Sequence, residues 1–230
     1  MTTTISYVTP PHVRSANAMT LAAANVAAGN PYTLTMRNKS ANAWSFYVYQ
    51  QMPNQQSANV FSLAWFCSPF RIVPGNQISF MWTIDYTFVW GATGTIQPGV
   101  TFSASGQQNA NLVSANTTTF DVSPGPNLSM PAAGPPAGSL VINNTAAVPN
   151  NTFSVGIGMG QAGTFVTGAG ANLKSTFTPT PNYWIAAGTN VQVGTVLDIT
   201  TVTQNAQVIF PVNVYMADYT LSTSNTWTLS

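Results

Sequence analysis

From Pro31 onward, apolar and polar positions alternate with a period of two. Tyr32, Leu34 and Met36 alternate with Thr33, Thr35 and Arg37. Phe80, Trp82, Ile84, Tyr86, Phe88 and Trp90 alternate with Met81, Thr83, Asp85, Thr87 and Val89. Successive side chains of a strand point to opposite faces, so the pattern predicts strands with one buried face. The second run predicts one long strand whose aromatic face anchors the core. Further strands are expected near residues 44–50, 61–67, 100–105, 117–122, 139–143, 152–158, 164–167, 175–178, 183–187, 191–202 and 207–221, with Pro-Gly, Gly-Asn and Asn-Asn punctuation between them. Many short strands with regular turn signals predict an all-β chain, an antiparallel β-sandwich of jelly-roll-like type.

Residues 1–30 follow a different pattern. Ser15 to Gly29 is rich in alanine and predicts one short helix, with Ser15 as N-cap and Gly29 as terminator. Its thin apolar face suits an arm that docks on the body or on a neighbouring copy, and a loose tail is the plainer alternative. His12 and Arg14 belong to this arm and are candidate assembly residues. The segment 123–138 carries Pro124, Pro126, Pro131, Pro135 and Pro136 among glycines, so it predicts a long connection without strand or helix. The chain on either side looks related. Leu34, Met36, Asn38, Phe46 and Val48 echo Leu140, Ile142, Asn144, Phe153 and Val155. At one constant offset, Ile72, Gly75, Ile78, Phe80, Ile84 and Asp85 match Ile185, Gly188, Val191, Val193, Leu197 and Asp198. The expected architecture is a single domain over residues 31–230, made of two similar β halves, 31–122 and 139–230, that share one core.

Charge changes the picture more than any motif. The 230 residues carry five basic and four acidic side chains, 4% of the chain, where an average domain carries about a quarter. An apolar content of 45% fills a real core, so the chain is not a disordered one. With a net charge of +1, little electrostatic repulsion keeps copies apart. Five scattered basic residues cannot form a phosphate-neutralising groove, which argues against nucleic acid. No apolar run approaches the roughly 18 residues of a membrane helix. The N-terminus shows neither a basic n-region nor an apolar h-region, so cytoplasmic synthesis is expected, with leaderless export or lysis as the alternative. Cys67 is the only cysteine and has no intrachain partner.

Candidate chemistry is sparse. Gly158, Gly160 and Gly163 fit a G-x-G-x-x-G spacing, but poor helix material follows and the next acid, Asp198, comes too late; a glycine-rich hairpin or bulge is expected instead. His12 is the only histidine, so a triad or a zinc site lacks its parts. Asp85 and Asp198 could face each other as a carboxylate pair; the plainer expectation is that each accepts local hydrogen bonds or pairs with Arg71 or Lys174. No cofactor and no metal is expected, and the chain is not read as an enzyme. Tyr47 and Tyr49 alternate with Phe46 and Val48, and Tyr183 sits beside Trp184, so one ring of each pair points outward unless a second layer covers it. Such rings among Asn and Gln suit a sugar face or a neighbouring subunit.

Several runs resemble the RhiA-type bacterial proteins: Asn38-x-Ser40 followed by Phe46-x-Val48-Tyr49-Gln50, Trp82-x-Ile84-x-Tyr86, Gly156-Ile157-Gly158-Met159, and Pro179-x-Pro181-x-Tyr183-Trp184. The resemblance implies a quorum- or environment-regulated bacterial product and brings no catalytic residues. Two functions remain in view. The first is a structural subunit that assembles with itself into a filament, sheet or crystalline inclusion through its charge-poor surface, by strand or arm exchange. The second is a module that binds a neutral glycan or other neutral surface, with a secreted pore-forming β protein as a minor variant.

Overall fold

The computed structural model describes residues 4–7, 29–52 and 59–230, and every regular element in them is a strand. The first half of the chain forms β1 (Thr4–Tyr7), β2 (Tyr32–Asn38), β3 (Ser45–Gln50), β4 (Phe61–Ser62), β5 (Phe66–Cys67), β6 (Gln77–Trp82), β7 (Tyr86–Gly91), β8 (Gly106–Ala110), β9 (Thr117–Asp121) and β10 (Asn127–Leu128). The second forms β11 (Leu140–Asn144), β12 (Ser154–Met159), β13 (Ala162–Gly168), β14 (Lys174–Phe177), β15 (Tyr183–Gly188), β16 (Asn205–Val208), β17 (Met216–Leu221) and β18 (Trp227–Leu229). The expected helix falls on residues 15–28, outside the described ones, as do His12 and Arg14.

Alternation decides which faces are buried. Leu34, Met36 and Asn38 of β2 turn inward, while Thr33, Thr35 and Arg37 turn out. The sheet β1-β6-β2-β17-β18 packs its inner face on the sheet β16-β15-β3-β5; Leu34, Phe80, Tyr219 and Trp227 meet Phe46, Val48, Ile185 and Val208 in one buried cluster. The sheet β10-β9-β11-β14 packs in the same way on β4-β13-β12-β7-β8, burying Phe120, Leu140, Ile142 and Phe177 against Phe88, Val155, Ile157 and Phe165. The chain thus builds two sandwich cores in place of the one shared core expected. Trp65, fully buried, ties them by donating its indole N–H to the Met159 carbonyl at 2.8 Å.

The two sandwiches have the same pairing. β2 pairs antiparallel with β6 and parallel with β17, which pairs antiparallel with β18. β11 pairs antiparallel with β14 and parallel with β9, which pairs antiparallel with β10. In the facing sheets β5-β3-β15-β16 corresponds to β13-β12-β7-β8. Each sandwich therefore joins early strands of one half to late strands of the other. The residues equivalent by this pairing differ from the constant-offset match. Gln77–Phe80 correspond to Lys174–Phe177, and Tyr86 and Gly91 to Tyr183 and Gly188, whereas 191–198 form no named strand.

The expected long strand over residues 80–90 breaks at Thr83–Asp85. Trp82 belongs to the first core and Phe88 to the second, so the chain changes sandwich there. The Asp85 carboxylate fixes the corner by accepting the Gly160 N–H at 2.8 Å. Residues 61–67 divide in the same way between β4 and β5, which lie in different sheets. Residues 100–105 and 191–202 contribute single bridges such as Thr101 to Thr195 instead of strands. Pro211 interrupts the run 207–221 between β16 and β17. Within the Pro-rich connection, Asn127 and Leu128 keep their N–H groups and pair with Asp121 and Phe120 as β10. The glycine-rich motif forms the β12–β13 hairpin, with an irregularity after Ile157 and a turn through Gly160 at φ 56°.

Buried amides lock the ends of the central strands. Asn38 is fully buried; its Nδ2 donates to the carbonyls of Asn42 and Ile72, and its Oδ1 accepts from the Ser40 N–H and hydroxyl. Asn144, at the equivalent end of β11, donates from Nδ2 to the Gly170 carbonyl. Replacing Asn38 by Ala leaves several buried groups without partners. Asn38→Ala is expected to cost roughly 2–4 kcal/mol, read as a lower urea midpoint with unchanged slope.

Candidate functional site

On the outward face of β3 and β15, pairing sets Tyr47 beside Ala186 and Cys67, and Tyr49 beside Trp184. The rings form a short stack, Tyr47 to Tyr49 at 6.1 Å and Tyr49 to Trp184 at 6.3 Å. A second layer covers it. Residues 189–203 lay Val191, Leu197, Ile199 and Val202 over the stack. Backbone bonds hold this cover in place: Ala64 N–H to the Thr195 carbonyl, Leu197 N–H to Ser62, and Val196 N–H to Val100. Arg71 pins its start by donating to the Thr189 carbonyl at 3.1 Å. The four rings therefore offer no exposed platform. Tyr49 is 0% exposed and Tyr47 and Tyr183 are 4% exposed; Trp184 is half-buried. Tyr183 points the other way, into the first core, 5.1 Å from Trp82 and 6.0 Å from Trp65.

Burial sets the chemistry of this layer. Loss of water raises the Tyr47 phenol far above its usual range, and its neighbours Tyr49 and Cys67 push it further. Burial pushes Tyr49 up to about 12, partly offset by the nearby Gln51 side chain. Burial likewise raises the Cys67 thiol, so it is protonated and a poor nucleophile.

Beside the covering segment lies a groove of about 310 Å³ lined by Tyr47, Gly99, Gly188, Leu197, Asp198 and Thr201. A smaller one of about 200 Å³ shares Pro98, Leu197 and Asp198 with it. Asp198 uses Oδ1 locally, accepting from the Thr200 N–H at 3.1 Å and the Thr200 hydroxyl at 2.6 Å. Asp198 is thus engaged in its own turn, and Asp85 serves the β12–β13 turn as described. The structure does not bring them together as a carboxylate pair. Neither pairs with Arg71 or Lys174; among the described residues the ion pair is Arg37 with Asp218, at 3.6 Å. No group of three metal-ligating side chains occurs among the described residues. The groove offers one carboxylate and several hydroxyls as hydrogen-bonding groups.

The alternation in residues 191–202 reads as a strand in sequence, and only the structure shows it to be a cover. Its mate in the other sandwich has a different surface. The positions equivalent to Tyr47 and Tyr49 are Gly156 and Gly158, where a Cβ would strike the carbonyl oxygens of Phe165 and Ala162.

Comparison with known proteins places these features in a family. The RhiA family model matches residues 29–230. Protein RhiA of Rhizobium leguminosarum bv. viciae is 53% identical over 226 residues, which cover 98% of this chain and 97% of the relative. The chain belongs to the RhiA family. No solved structure matches it.

The covered layer predicts a silent thiol and late-titrating phenols. In the folded protein Cys67 should resist a thiol reagent, and one equivalent should react after unfolding. A phenol raised by folding stabilises the fold fully below its unfolded value near 10, and that stabilisation is lost as pH rises toward the folded value. Thermal stability should therefore fall steeply between about pH 10 and 12, together with the delayed rise of tyrosinate absorbance.

Proposed function

We propose that this RhiA-family chain is a structural subunit that assembles with further copies of itself into a filament, sheet or crystalline inclusion. The observation that supports this reading is the outer face of β6-β2-β17. Register sets Met81, Thr33 and Met216 in one row, Ser79, Thr35 and Asp218 in the next, and Gln77, Arg37 and Thr220 in the third. Met81 is 44% and Met216 is 70% exposed, and the rest of the face is hydroxyl, amide and a single ion pair. Val212, Val214 and Ile209 extend exposed apolar surface along the loop that leads into β17. Exposed apolar groups on a nearly uncharged face mark a contact surface, because desolvating it buries few ions. Hydroxyls and amides can exchange water for the same groups on a neighbour.

A neutral glycan is the competing partner. Its recognition by stacking needs open rings, and Tyr47, Tyr49 and Tyr183 are buried while Trp184 is half-buried. Assembly is the reading we adopt.

Sedimentation and negative-stain microscopy test it. Ordered polymers are expected at low salt and equally at 1 M salt, where the Debye length is about 3 Å, since few charges contribute. Met216→Asp should raise the concentration needed for assembly by roughly tenfold or more, because the contact then buries an unpaired carboxylate. Its melting temperature should stay unchanged. A protein that stays monomeric when concentrated, and that binds on a glycan array, overturns the proposal.

A further inference from the structure

Among the described residues the two sandwiches differ at two sheet edges, and one of them leaves β14 open. β6 ends the repeated part of its sheet, and β1 covers its outer side, with Thr4–Tyr7 parallel to Gln77–Phe80. The equivalent residues of the other sandwich, Lys174–Phe177, end their sheet with no strand beyond them among the described residues. The Asn144 N–H donates to the Leu173 carbonyl, while the Leu173 N–H closes the turn on the Gly170 carbonyl; in this register Ser175 and Phe177 turn their backbone groups toward β11. The N–H and C=O of Lys174 and Thr176 therefore point out of the sheet, and both residues are exposed.

We infer that this edge of β14 binds the same edge of a second copy, the two strands running antiparallel about a twofold axis at Ser175. The inference rests on the self-assembly reading and names one of its contacts. Two conditions, both of period two, limit the register, and among the registers they allow this one pairs all four outward groups and sets no lysine opposite a lysine. Residues opposite one another must face the same side of the sheet, and outward-pointing backbone groups must meet. Pairing Ser175 with Ser175 of the second copy meets both. Lys174 then lies opposite Thr176 of the other copy and exchanges both backbone bonds with it, and Thr176 does the same with Lys174. Phe177, fully buried on the core side, lies opposite Leu173 of the other copy, which is 50% exposed in the free chain. The result is one continuous sheet of eight strands. No lysine faces a lysine, although a lysine at an edge ordinarily discourages pairing.

A transferred β1 is the weaker occupant. Moving Thr4–Tyr7 from β6 to a neighbouring β14 uncovers as many backbone groups as it satisfies. Self-pairing satisfies four groups on each chain and uncovers none. The contact is small beside the roughly 1,200 Å² of a stable interface, so it acts together with others in a dense assembly.

The axis makes the test specific. Ser175 and its mate form a non-hydrogen-bonded pair, the closest approach in an antiparallel ladder. Ser175→Cys should give a reducible dimer under mild oxidation, while Thr176→Cys, displaced from its own mate along the strand, should not. Thr176→Pro removes only an outward N–H, and in the Ser175→Cys background it should abolish the crosslink with circular dichroism unchanged. Crosslinking of Ser175→Cys no faster than that of Thr176→Cys, or crosslinking that survives Thr176→Pro, overturns the inference. If the parent chain polymerises and Ser175→Cys stays uncrosslinked, assembly uses other surfaces and this contact alone is wrong. If Ser175→Cys crosslinks and the parent chain forms nothing beyond dimers, the contact stands and the extended assembly fails.

Discussion

Neither half of the chain can complete a sheet without the other. β2 takes its parallel partner from β17, near the C-terminus, and β11 takes its own from β9. The facing sheets are joined in the same way, β3 with β15 and β12 with β7. The strands that complete the first core arrive only after the second sandwich has been traced. Loop closure must precede most of the stabilising contacts, which makes such a topology slow to form. It also makes each sandwich a clamp on the other, so cutting the chain between halves would leave both with an open sheet.

That interlock explains what was legible in the sequence. Alternation in β2, β3, β11 and β15 is local, and it marked those strands within a residue or two. The break at Thr83–Asp85 was not legible, because alternation continues through the corner and only the destination of each side changes. The same holds for residues 191–202, whose pattern of Val191, Leu197, Ile199 and Val202 suits a strand as well as a covering segment. Pairing partners, unlike periodicity, are a property of distant residues. Family resemblance was readable because its runs lie in strands and corners that the fold uses directly: Asn38 with Ser40, and Trp82 before the turn to Tyr86. The rings at Tyr47, Tyr49 and Trp184 were visible as a group, but the layer over them lies far along the chain.

Scarcity of charge has a structural counterpart. Asp85, Asp121 and Asp198 each accept hydrogen bonds that fix a turn, and Asp218 pairs with Arg37. At Asp121 the Thr145 hydroxyl and the N–H groups of Ser123 and Val122 hold the carboxyl below its usual range. The acids thus act as local braces, a task that Asn and Ser perform elsewhere, as at Asn38 and Asn116. Charge is then free to be nearly absent from the broad sheet faces. Uncharged faces carry no long-range repulsion, so short-range fit decides whether two copies adhere.

Sheet edges sharpen this argument. β1 and β4 lie outside the repeated pairing, on the edges of β6 and β13. Among the described residues, the equivalent outer edges, β14 and β5, receive no such strand. At β16 the Tyr219 hydroxyl donates to the Gln207 carbonyl and accepts the Ile209 N–H, so that edge is covered by a side chain. β14 has no such cover among the described residues, and it carries Lys174, one of only two lysines in the chain. A lysine placed there limits adhesion without forbidding it, because one ammonium at the rim of a neutral surface is easily turned to water. Under the proposed self-assembly, an edge of that kind would favour contact that is weak singly and cumulative in number, so that copies would stay separate while scarce and associate when abundant.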